Sequence, residues 1–97
     1  MATLETFARL ATEWKAQSGF LSSPTAMAKL PAYQAIIRMG KPAIPFILDE
    51  LRREPDHWFV ALKQITGEDP IPEEARGNMR GMADAWLKWG DDHGFSI

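Results

Sequence analysis

The sequence predicts an all-α fold: a compact bundle of about five to six short helices. Three observations lead there. Apolar residues recur at three- and four-residue steps, as in Leu4, Phe7, Ala8, Ala11 and Trp14. Residues that start or stop helices fall between these stretches, notably Ser23-Pro24, Pro31, Pro42, Gly19, Gly40 and Gly67. Finally, the stretch 40–67 contains the triple apolar runs Phe46-Ile47-Leu48 and Trp58-Phe59-Val60. Successive helical residues point about 100° apart, so such a run covers more than half the circumference and calls for neighbours on more than one side. A hairpin over 40–67, turning at Glu54-Pro55-Asp56, is therefore the expected core.

Each element has its own local reasons. Thr3 to Ser18 reads as an amphipathic helix with Leu10 widening its stripe, Thr3 as N-cap and Gly19 as the stop. Phe20 to Pro24 is a connection, and a short turn through Thr25 to Leu30 follows the Ser23-Pro24 start. Pro31 disfavours helical geometry at Leu30, so a fresh helix is expected over Ala32–Met39, with Tyr33, Ile36 and Ile37 inward and Gly40 ending it. The next helix holds Pro42 and Pro45 in its first turn, where backbone N–H groups lack partners in any case. Its inward stripe is Ile44, Ile47, Leu48 and Leu51.

Asp56 is then placed to cap a helix from His57 to Thr66 with Trp58, Ala61, Leu62 and Ile65 inward. The final helix is expected from about Glu73 to Trp89, its start delayed to Asn78 if Gly77 weakens the first turns. Ala75, Met79, Met82, Ala83, Trp86 and Trp89 form its stripe, and Gly77 with Gly81 suggests a close helix crossing. The tail should fray unless Phe95 or Ile97 docks.

The 97 residues suit a single domain, 1–97, and with 45% hydrophobic and 25% charged residues the chain has the make-up of a folded globule. Cysteine is absent, which excludes disulfides, thiol catalysis and cysteine metal sites. Glu5 and Arg9 interrupt the N-terminal segment where a secretory signal needs an apolar run, and no apolar stretch approaches the ~20 residues of a membrane span. A soluble, cytoplasmic protein with no membrane partner is expected. The net charge of −2 hides an asymmetry. Residues 29–53 carry five cations against two carboxylates, while 66–97 carry seven carboxylates against three cations. Without a basic excess, nucleic acid is an unlikely partner, whereas charge-steered protein binding is compatible.

Two strings share a pattern: Gly40-Lys41-Pro42-Ala43-Ile44-Pro45 and Gly67-Glu68-Asp69-Pro70-Ile71-Pro72. With Ala61-Leu62 and Ile65-Thr66-Gly67, they resemble the helical hairpins of the HEAT-repeat family, over roughly residues 32–72. The resemblance implies HEAT-like antiparallel hairpins and, by analogy, protein binding. A HEAT repeat is about 40 residues, so at most two units fit and a compact bundle is expected rather than a superhelix. Pro55-Asp56-His57-Trp58-Phe59 and Ala85-Trp86-Leu87-Lys88-Trp89-Gly90 also resemble a family of small uncharacterised bacterial proteins, which implies no particular activity.

Chemistry finds little support. His57 and His93 are the only histidines and have no metal-ligand spacing, and there is neither a nucleophile elbow nor a phosphate-binding glycine loop. No cofactor, metal or catalytic residue is expected. Asp56-His57 could serve acid–base chemistry, but a helix cap accounts for it more simply. The aromatic residues carry more weight. Tryptophan beside arginine is the composition of interaction hot spots, so Arg52, Arg53, Asp56, His57, Trp58 and Phe59 form the expected partner-binding edge. The favoured function is a non-catalytic protein-interaction module: an adaptor, inhibitor or antitoxin-like partner of another protein. Homodimerisation through an exposed tryptophan face is a second possibility. The alternative is a small-molecule or nucleic-acid-processing role centred on Asp56, His57 and the nearby arginines, which needs a pocket that gathers them.

Overall fold

The structure, a computed structural model, describes residues 3–21 and 23–95. It is all-α, with six α-helices and no strand among those residues. Helix α1 runs over Thr3–Ser18, α2 over Pro24–Ala28 and α3 over Pro31–Met39. Helices α4 (Ile44–Arg53), α5 (Phe59–Thr66) and α6 (Met79–Asp92) complete the bundle. Short 3₁₀ turns at Lys41–Ala43 and Glu73–Ala75 precede α4 and α6. The main packing partners are α1 with α3, α4 with α6, and α3 with α5. The radius of gyration is 12.6 Å. A single globule of this length should have about 12.5 Å.

Local signals account for most boundaries. The Ser23 hydroxyl accepts from the Ala26 N–H at 3.4 Å and Pro24 sits in the first turn, so α2 starts where the serine–proline pair places it. Leu30 is extended, at ψ 142°, because Pro31 follows it. Gly40 and Gly67 end α3 and α5 at φ 71° and 74°, a region that a Cβ would strain. Asn78 caps α6, its side-chain oxygen accepting from the Gly81 N–H at 3.2 Å.

Several expectations are corrected. The Pro42–Pro45 segment is a 3₁₀ turn followed by a helix rather than one helix. On α1, Phe7, Ala11 and Trp14 are buried, but Leu4 is 59% exposed and Ala8 lies on the surface. That flank of α1 faces an open groove beside α4, bridged at its edge by an ion pair between Lys15 and Glu50. The tail does not simply fray. Gly94 N–H reaches Asp91 C=O at 3.4 Å and Phe95 N–H reaches Gly90 C=O at 2.7 Å, the paired bonds of a Schellman ending. Phe95 stacks on Trp89 with centroids 5.7 Å apart, the apolar contact that accompanies such endings. Ile97 lies outside the described residues.

The close crossing falls at a different glycine from those expected. Gly77 lies outside α6 at φ 86°, and a Cβ on Gly81 would meet its own N-cap, Asn78. A Cβ on Gly90 would instead sit 2.5 Å from Cδ1 of the buried Leu48, so α4 and α6 approach there. Gly90→Ala gains about 1 kcal/mol of helix propensity but forces an overpacked contact worth about 1–3 kcal/mol. The expected outcome is a net loss of about 1 kcal/mol, seen as a fall in Tm of about 4–8 °C. A Tm equal to or above that of the parent would refute the close approach.

Candidate functional site

The corner between α4 and α5 was the expected site, and its geometry is set from α3. The Tyr33 hydroxyl donates to the His57 carbonyl at 3.0 Å and accepts from the Ala61 N–H at 2.9 Å. Ala61 is the third residue of α5, counting from Phe59. Its N–H is one of the groups a helix start leaves without a partner. A tertiary hydroxyl thus takes the role expected of Asp56. The Asp56 carboxylate accepts instead from the adjacent His57 N–H at 2.7 Å, and α5 begins two residues later than expected. Burial pushes the Tyr33 hydroxyl well above the usual tyrosine range, because the phenolate would lose its hydration.

Trp58 lies under this bridge and is 0% exposed. Its ring centroid is 4.5 Å from Trp14, 5.7 Å from Phe7 and 5.9 Å from Tyr33, the last pair stacked at 12°. Trp14 adds a hydrogen bond from its indole N–H to the Met27 carbonyl at 3.0 Å, which ties α1 to α2. Trp86 and Trp89 are also core, at 1% and 7% exposure. No tryptophan is exposed enough to offer the broad face expected for dimerisation, although Trp89 borders two surface grooves and Phe59 is half-buried. Tryptophans cost the most to leave in water, and the bundle has enough facing surfaces to enclose all four.

The remaining residues of the expected edge separate. Arg53 pairs with Asp49 at 3.1 Å and Glu50 at 2.6 Å, on the rim of the α1–α4 groove. Arg52 is exposed and makes no ion pair among the described residues. His57 and Phe59 line a different groove, with Pro24, Val60, Gly77, Met79 and Met82. That groove has a volume of about 360 Å³ and lies where α2, α5 and the start of α6 meet. Asp56 and Arg52 line neither groove. The structure therefore does not gather Asp56, His57 and the arginines into one pocket. Among the described residues, no group of three His, Asp or Glu side chains could hold a metal ion. Nor is any helix among them long and apolar enough to cross a membrane.

Sequence reasoning missed two features. Met79 and Met82 were assigned to the inward stripe of α6; Met82 does pack in part against the core, but both are half-buried and also form a groove wall. Phe20 was assigned to a connection, yet it is 93% exposed. Periodicity alone does not distinguish a residue facing the core from one facing a gap between helices. Comparison with known families, curated proteins and solved structures finds no match to this chain.

Two outcomes test this geometry. Tyr33→Phe orphans the buried Ala61 N–H and the His57 carbonyl, an expected loss of about 1–3 kcal/mol in denaturant unfolding. Tyr33 is the only tyrosine. Above its usual pKa of about 10, the unfolded chain releases the phenolic proton while the folded chain retains it, so this group's contribution to stability falls as pH rises further. Tyr33→Phe should remove that part of the alkaline slope, and an unchanged slope counts against the buried hydroxyl. Separately, Trp58→Ala should cost about 3–5 kcal/mol and unfold much of the population, whereas Arg52→Ala should leave the circular-dichroism melt within about 0.5 kcal/mol of the parent. A stable, folded Trp58→Ala protein would contradict the core position.

Proposed function

We propose that this chain is a non-catalytic protein-interaction module whose contact surface is the groove between α2, α5 and the start of α6. The observation that carries this proposal is the groove itself: Phe59, Val60, Met79 and Met82 stand half-buried around an open apolar depression, with His57 its only titratable wall. Methionines adapt to the shape of what they contact, and exposed Met-rich surfaces are used for binding. Two residues of the edge expected from the sequence, His57 and Phe59, belong to this surface, so the interaction reading moves to it from Trp58. The HEAT-like resemblance of the hairpins supports the same class of function by analogy. A partner would place an apolar side chain in the groove, and the charge asymmetry would orient its approach.

Met79→Glu tests the proposal. Met79 is half-buried at the first position of α6, where a carboxylate suits the helix dipole, so the fold should persist with an unchanged circular-dichroism melt. Affinity capture from the native host should recover one stoichiometric protein with the parent chain and lose it with Met79→Glu. Equal recovery by both chains, or recovery of neither another protein nor a second copy of this chain, would reject the groove.

A further inference from the structure

We propose, resting on the groove as a contact surface, that its occupant is Phe20 of a second copy of this chain. Phe20 is the one aromatic residue left almost wholly in water, at 93% exposure. It stands in the turn after α1, where the Leu21 N–H bonds to the Ser18 carbonyl at 2.9 Å. The turn directs the ring away from its own core.

The groove accepts such a ring. A cavity of about 150 Å³ holds a benzene molecule, and this open groove measures about 360 Å³. Met79 and Met82 offer thioether contacts to an aromatic ring, and Phe59 offers an aromatic one.

Placement and charge favour a second copy over another occupant. Pro24, one wall of the groove, follows Phe20 by four residues, a span of at most about 14 Å of chain. Plug and socket wall are therefore neighbours along the chain. A two-fold axis between them lets each copy insert its Phe20 into the other, so the interface closes on itself. Residues 16–28, which include the plug and one wall, carry no charged side chain, although 25% of the chain is charged. Depletion of charge is the mark of an interface centre. Two copies can thus meet there without burying like charges.

Sedimentation equilibrium from micromolar to near-millimolar concentration tests this with the parent chain, Phe20→Ser and Met79→Glu. Phe20 is exposed and Met79 half-buried, so both variants should keep the parent melting profile. The parent should form a reversible dimer, and each variant should associate at least about a hundredfold more weakly, the scale set by the two buried phenylalanines lost per dimer. An equimolar mixture of the two variants should associate more tightly than either alone, because the mixed dimer regains one plug in one intact socket. A parent chain that stays monomeric throughout, or a Phe20→Ser chain that dimerises as tightly as the parent, overturns the proposal. If Phe20→Ser then captures the same host protein as the parent while Met79→Glu does not, the groove stands and only the second-copy occupant falls. If Met79→Glu captures what the parent captures, whether another protein or a second copy, the groove falls as well.

Discussion

The structure depends on one buried hydroxyl. Tyr33, fully enclosed on α3, donates to the His57 carbonyl and accepts from the Ala61 N–H, so a single side chain fixes both the end of the α4–α5 connection and the first turn of α5. The bond from Ala61 is buried, so losing the hydroxyl would leave that N–H unpaired in a dry interior and remove the partner of the part-buried His57 carbonyl. The same ring stacks on Trp58, which in turn meets Trp14 and Phe7 from α1. Helices of 5–16 residues are marginal alone, and this aromatic assembly joins two of them, α1 and α3, to the connecting corner.

That choice of core determines the surface. Once all four tryptophans are enclosed, the corner at 52–59 has no aromatic anchor of the hot-spot kind except the half-buried Phe59. Arg53 is held by Asp49 and Glu50 along its own helix, and pairs this exposed contribute little to stability. The apolar surface left uncovered includes the Met79–Met82 groove and, a few residues from its Pro24 wall, Phe20 in open solvent. Some of the ionic groups serve local order. Arg76 beside Asp69 holds that carboxyl below its usual range, and the same carboxylate accepts from the Ile71 N–H, shaping the connection between α5 and α6.

The helix ends most legible in the sequence were those encoded within a few residues. Ser23-Pro24, Leu30-Pro31, Gly40, Gly67 and Asn78 each act through local dihedral preference or a side-chain bond three residues away. The start of α5 was misread because its cap comes from Tyr33, 28 residues distant. No local pattern announces such a partner. Likewise the α4–α6 crossing uses Gly90 rather than the better-spaced Gly77 and Gly81, since which glycine meets a neighbour depends on how the helices are laid against one another.

The sequence by itself determined that the chain is all-α, where most of its helices begin and end, and which apolar residues could supply a core, because these follow from backbone preference and a 3.6-residue period. Only the tertiary structure decided which of those apolar residues were spent on the core. It enclosed Trp58, left Phe20 and Leu4 exposed, and left the Met79–Met82 wall only half-covered. The physical reason is that burial belongs to pairs of surfaces: a side chain is hidden only where another helix arrives to cover it.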